Sequence, residues 1–167
     1  FADLDTAAHR HGKESREALC LLTELDAAFS AFVAAHRGCD AWLLVTADHG
    51  FIDAPVEHVI CLDDRPALAA LLQRPLSGER RAAYCSVGPD NRAAFQRDVG
   101  EHFADAMQCV PSRQLIDEGW FGPPPYHGEL AARIGDFTLL MRKDWTIKDW
   151  LPDERRYAMV GVHGGVS

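Results

Sequence analysis

The sequence predicts an α/β fold, and three observations carry that expectation. Ser15 opens a segment with apolar residues at helical spacing. The nearly all-apolar run 41–46 reads as a strand buried on both faces of a parallel sheet. Beyond Pro55, short strand-like and helix-like segments alternate.

The elements follow in order. Asp5 and His9 stand four apart, so a single helical turn aims both side chains at one point. Ser15 starts a helix in which Leu21, Leu22, Leu25, Ala28, Phe29, Phe32 and Val33 form the packing side; it runs to about Arg37, with Gly38 as its stop. The strand 41–46 then ends at Asp48-His49-Gly50, the end of a strand at which open α/β sheets place their ligand crevices. Downstream, 58–62, 81–87, 108–110, 137–142 and 145–148 read as strands, and 66–72, 91–106, 112–118 and 129–134 as helices, with Asp90 as the N-cap of the second. Residues 159–162 form a last strand that delivers His163. The expected organisation is a ligand-bearing part of the core at 1–54, an α+β insertion or cap at 55–149 packed beside the main sheet, and a return to the core at 150–167.

Composition sets limits on this reading. With 167 residues, 47% of them hydrophobic and 25% charged, the chain is long enough to bury a core. A formal charge of −8 argues against non-specific binding to a nucleic-acid backbone. No apolar stretch approaches the roughly 20 residues that span a bilayer, and no signal peptide is visible. The five cysteines, Cys20, Cys39, Cys61, Cys85 and Cys109, form no C-x-x-C pair, so they are expected to be mostly buried apolar residues in a reducing cytoplasm.

The chemistry resides in five N/O ligands: Asp5, His9, Asp48, His49 and His163, the last in Gly161-Val162-His163-Gly164-Gly165. Imidazole and carboxylate suit zinc, and five such groups suit two divalent ions better than one. Taken singly, each has a plainer explanation. Asp5 and His9 could be an exposed i, i+4 pair, Asp48 a turn cap with His49 solvated, and His163 part of a flexible glycine-rich terminus. Asp48 and His49 diverge on an extended strand, and a sharp turn at Gly50 is what lets both reach one site.

The three motifs, Asp5-x-x-Ala8-His9-x-x-Gly12-x-x-Ser15, Thr46-Ala47-Asp48-His49-Gly50 and Val162-His163-Gly164-Gly165, occur in an order that resembles the type I phosphodiesterase/nucleotide pyrophosphatase branch of the alkaline phosphatase superfamily. The resemblance implies the C-terminal part of an alkaline phosphatase-like α/β/α sandwich with an inserted α+β cap. It also implies a dizinc site in which Asp5, His9 and His163 hold one ion while Asp48 and His49 belong to the other. The activity implied is hydrolysis of phosphate ester or phosphoanhydride bonds in small esters or nucleotides, through a covalent phospho-enzyme. The family's nucleophilic Thr or Ser, and an Asp completing the second site, lie upstream of the first motif and have no counterpart here. Neither Thr46 nor Thr6 is a convincing substitute, so the chain is expected to be part of a longer enzyme and inactive alone. A phosphomonoesterase, sulfatase or phosphomutase of the same superfamily shares the ligands; a non-catalytic binding module is the alternative of another class. No nucleic-acid polymer or membrane partner is expected.

The remaining conspicuous residues carry no role. His11, His36, His58, His102 and His127 lack a surrounding motif, Asp63, Asp64 and Asp136 read as solvated turn residues, and the aromatic loop 120–127 is expected to pack on its own domain.

Overall fold

The computed structural model describes residues 2–166. In chain order its elements are α1 (Ala2–His11), α2 (Arg16–Ala35), β1 (Ile52–Asp53), β2 (Val59–Cys61), α3 (Pro66–Ala69), β3 (Ser77–Glu79), β4 (Ala82–Cys85), α4 (Arg92–His102), β5 (Met107–Pro111), α5 (Ser112–Asp117), α6 (Leu130–Ile134), β6 (Phe137–Met141), β7 (Thr146–Lys148) and β8 (Gly161–Val162). They divide into two units, one running to Asp53 and including Ala158–His163, the other comprising Ala54–Tyr157 and the residues from Gly164.

In the first unit, α1 and α2 meet through small side chains, with Ala7, Ala8 and Ala18 buried. Ser15 caps α2 by accepting the Ala18 amide at 3.2 Å, and Glu17 in the first turn suits the positive end of the helix dipole. The helix ends one residue beyond Ala35, where the His36 amide donates to the Val33 carbonyl and the Arg37 amide to the Ala34 carbonyl, and Gly38 leaves with φ +87°. Its sides remain largely uncovered: Leu19, Leu22, Phe29 and Phe32 are 42–50% exposed. By length and composition alone α2 could cross a membrane. That corrects the count made from the sequence, which overlooked how little charge Glu24 and Asp26 add to an otherwise apolar run. The core helix of a soluble protein has the same composition.

The run 41–46 does not form the expected buried strand. Residues 41–47 take no regular structure, and Trp42, Leu44 and Val45 are 102%, 89% and 68% exposed. The physical reason is the absence of a ladder. A parallel strand needs backbone partners on its edges, and among the described residues none pairs with this segment. Pairing resumes at β1, which runs antiparallel to β8 with Ile52 opposite Val162 and Asp53 opposite Gly161.

The second unit is built on a four-stranded antiparallel sheet in the order β3-β4-β6-β5. All five residues of β6 are buried, as expected of a central strand. Phe95 and Val99 of α4 pack with Leu68, Met107, Leu139 and Met141 into one apolar cluster that also contains Ile60 of β2 and Ile147 of β7. The latter two strands form a separate parallel pair. The predicted strands and helices of this region are present but shorter, except β5, which extends the expected 108–110 to Met107–Pro111; β3 here and β1 in the first unit escaped prediction, and Asp90 is not the cap of α4, since it lies inside a 3-10 turn, Pro89–Asn91. Asp136 is also corrected: its carboxylate accepts the Val87 amide at 2.8 Å and pairs with Arg92. Of the cysteines only Cys85 is fully buried. Cys61 and Cys109 are half-buried and Cys20 and Cys39 exposed, because the last two sit on α2 and its exit, where little covers them. Burial pushes the Cys109 thiol up to about 12 and the Cys85 thiol further.

Candidate metal centre

Three short segments of the first unit bring the five residues singled out in the sequence to one place. On α1 the i, i+4 spacing sets His9 Nε2 3.5 Å from Asp5 Oδ1. The opposite ring nitrogen of His9 is also fixed: Nδ1 lies 2.8 Å from the Gly161 carbonyl, which can only accept, so Nδ1 carries a proton and Nε2 faces Asp5.

His49 repeats the device. Its Nδ1 donates to the Gly50 carbonyl at 3.3 Å, leaving Nε2 at 3.8 Å from both Asp5 Oδ1 and Asp48 Oδ2. Two imidazoles thus present the same nitrogen to one carboxylate. Asp48 accepts the His49 amide at 3.0 Å, and its side chain is 90% exposed. Hydrogen bonding from its own backbone amide, then the electrostatic influence of the neighbouring His49 ring, holds its carboxyl below the usual range.

His163 follows directly on β8. Its ring stacks on His49 with centroids 3.7 Å apart and 13° between planes, and it lies 5.1 Å from the His9 ring. Donor atoms of Asp5, His49 and His163 all lie within 4.8 Å of one another. Three half-buried groups at that separation, one carboxylate and two imidazoles, are the donor set of a divalent transition-metal site, so the residues fit a metal. His9 adjoins this trio through Asp5, and Asp48 adjoins it through His49.

Three participants were missed in the sequence. Phe51 meets His9, His49 and His163 edge to face, with ring centroids at 5.0, 5.3 and 5.5 Å, and so supplies the apolar wall that fixes all three rings. The signal was available, since Phe51 is two residues from His49 and shares its face on an extended chain. Lys13 lines the same cleft, whose volume is about 800 Å³, together with Thr46 and Asp48. Asp53 lies one step behind it and had no motif to mark it.

The fold is a mixed helix and sheet protein of the α/β class, carrying at the ends of β1 and β8 a carboxylate and imidazole cluster of the kind that hydrolytic metal centres use. Residues 1–166 match the sequence profile of the type I phosphodiesterase/nucleotide pyrophosphatases, and the chain belongs to that family. Among solved structures, mouse ectonucleotide pyrophosphatase/phosphodiesterase 5, described as an inactive variant in complex with AMP, has a TM-score of 0.65 at 16% identity. A second structure of the mouse protein gives the same values, and the human protein a TM-score of 0.64 at 16% identity. Each similarity covers 97% of this chain and 41% of the other, so the chain spans about two-fifths of the length of the structures it resembles. No curated protein matches it by sequence.

Proposed function

We propose that this chain supplies the metal-binding part of a phosphodiesterase or nucleotide pyrophosphatase that uses two divalent ions, with zinc the first expectation, and acts on a small phosphate ester or a nucleotide. The observation that carries the proposal is the convergence of Asp5, His49 and His163 from three separate segments on one cleft. Solvated residues without a shared role have no reason to meet in that way. The AMP complex of the mouse relative supports a nucleotide as the substrate class.

Each side chain then has a task. In the division the family resemblance implies, Asp5, His9 and His163 would hold one ion and Asp48 and His49 would belong to the other, and the Asp5, His49 and His163 donor atoms, all within 4.8 Å, would lie where the two half-sites adjoin. When bound, a pair of ions supplies charge on both sides of a phosphoryl centre. The Nδ1 contacts of His9 and His49 fix their tautomers in advance, which reduces the reorganisation needed on binding. Phe51 excludes water from the rear of the rings. Lys13 also lines the cleft, with its ammonium paired to Glu14.

The attacking group belongs to a longer chain in this reading. Thr46 lines the cleft, yet its hydroxyl donates to the adjoining Ala47 carbonyl at 3.4 Å, and no base lies beside it in that contact. The test compares this chain with the longer protein. This chain alone is expected to take up zinc only partially and to leave nitrophenyl phosphate esters intact, and the longer protein to turn over a diester faster than a monoester or a sulfate ester. Robust turnover by the 167 residues alone would overturn the division of labour, and preference for a monoester or sulfate would reassign the substrate.

A further inference from the structure

Asp53 touches neither the cleft nor the metal-ligand atoms, yet it is joined to every segment that carries them. Its Oδ1 accepts the Lys13 amide at 2.8 Å, immediately beyond the end of α1. Its carboxylate also lies against Gly12: a Cβ on that residue would come within 3.1 Å of Oδ2 and 3.2 Å of Oδ1. Gly12 is buried and has φ +95°, a conformation that side chains rarely adopt, so the chain approaches the carboxylate through backbone alone. On its own strand Asp53 is paired with Gly161. Gly161 in turn accepts from His9, and a Cβ there would come within 2.3 Å of the Ala8 carbonyl oxygen. The contacts form a closed circuit: Lys13 to Asp53, Asp53 across to Gly161, Gly161 to His9, and back along α1 through the Gly12 amide, which bonds to the Ala8 carbonyl at 2.9 Å.

From this circuit we infer that Asp53 is a positioning residue for the metal centre, setting the end of α1, and with it Asp5 and His9, against β1 and β8, beside whose ends His49 and His163 lie. The inference rests on the metal-binding reading above and adds a residue to it. Its physical basis is the tolerance of a metal site. Ligand atoms have to fall within a few tenths of an ångström of their bonding distances, and groups that orient ligands from behind are worth about 10- to 100-fold in metal affinity. A carboxylate that merely capped a turn would be worth stability and nothing else.

The experiment uses the full chain with Co²⁺ as the probe, reading affinity and ligand field from the visible absorption, and thermal unfolding alongside. Asp53→Ala is expected to weaken Co²⁺ binding by about 10- to 100-fold and to change the band shape, while Asp53→Asn, which keeps the acceptor oxygen, binds within about threefold of wild type. Exchange of the Lys13 amide with solvent should accelerate in the alanine variant and not in the asparagine variant. Should Asp53→Ala fail to fold, Asp53→Asn decides alone. A loss of about tenfold or more in that variant, at an unchanged unfolding midpoint, would mean that charge and not the hydrogen bond matters, and the positioning role would be wrong. Equal Co²⁺ binding by wild type and Asp53→Ala would overturn the role of Asp53 and leave the metal centre standing. A wild type that binds no Co²⁺ would overturn the metal reading itself and this role with it.

Discussion

His9 donates from Nδ1 to the carbonyl of Gly161 at 2.8 Å, and the Val160 amide donates to the His9 carbonyl at the same distance, so the ligand-bearing helix is bonded to the segment entering β8 in both directions. A side chain at position 161 has no room in this arrangement, since its Cβ would lie 2.3 Å from the Ala8 carbonyl oxygen. Gly161→Ala is therefore expected to push α1 from the strand, lowering stability by about 1–3 kcal/mol, the usual cost of forcing a methyl group into a filled space. Urea unfolding checks the first effect. Loss of the His9 Nδ1–H tautomer, read from its ring nitrogen shifts, checks the second.

Removing a ligand should be more damaging to the site and less so to the fold. Asp5, His49 and His163 are half-buried, and none contributes to an apolar cluster. Asp5→Asn, His49→Ala and His163→Ala are each expected to reduce zinc affinity by more than the roughly 100-fold upper range for groups behind the ligands. Unfolding midpoints without metal should be nearly unchanged. Calorimetric titration with zinc gives the first number and thermal unfolding in chelator the second. A uniform loss of stability with unchanged affinity would contradict the grouping.

The site was readable in the sequence because its residues are of an uncommon type at special places: an i, i+4 carboxylate and imidazole pair, and two histidines beside glycines. Their convergence was not readable, since periodicity carries no distance between α1, Gly50 and β8. Lys13, Phe51 and Asp53 were missed for a different reason: their residue types are ordinary, and only three-dimensional placement gives them a part. The fold divides similarly. Helix α2 was legible from Ser15 to Gly38 because cap, period and stop agree. The strand at 41–46 failed because a parallel strand is a property of its neighbours more than of its own apolar content. In the second unit, β3 (Ser-Gly-Glu) has no β-forming composition, and pairing with β4 alone makes it a strand.

That exposed run has a consequence of its own. Trp42, Leu43, Leu44 and Val45 form a contiguous apolar segment without Pro or charge, each at least 53% exposed, which is the composition of an aggregation-prone strand. This chain in isolation is expected to self-associate, and Trp42→Lys with Leu44→Lys to suppress that association without altering zinc uptake. Light scattering against concentration measures the first and calorimetry the second. Association unchanged in the double variant would shift attention to the exposed side of α2.

Glycine at position 135 is required for a backbone reason. Its φ is +65°, and a Cβ would lie 2.4 Å from the Cys85 carbonyl oxygen, which also accepts the Asp136 amide at 2.8 Å. Gly135→Ala combines positive φ with a clash and is expected to cost about 2–4 kcal/mol, taking each effect at about 1–2 kcal/mol. Urea unfolding followed by near-ultraviolet circular dichroism reports it, and a change below about 0.5 kcal/mol would show that the turn relaxes.

Acid should weaken the second unit through Asp144. His58 Nδ1 lies 2.8 Å from Asp144 Oδ1 and its ring stacks on Trp145 at 4.4 Å, so the turn Val56–His58 ahead of β2 is fastened to the start of β7, its parallel partner. The hydrogen bond from His58 is the largest influence on the Asp144 carboxyl and holds it below the ordinary value of 3.8. Because the folded carboxyl is the stronger acid, the pair stabilises the fold fully above that ordinary value, and the contribution disappears as pH falls through the lowered one. Both partners are about one-third exposed, at 34% and 38%, and solvent screening limits the contribution to about 1 kcal/mol or less. His58→Phe keeps a ring against Trp145 and removes the donor. At pH near 6 it should lose that amount relative to wild type by urea unfolding, and the difference should shrink progressively as the pH is lowered below the ordinary carboxyl value of 3.8. A deficit independent of pH would assign the effect to ring packing instead of the carboxylate.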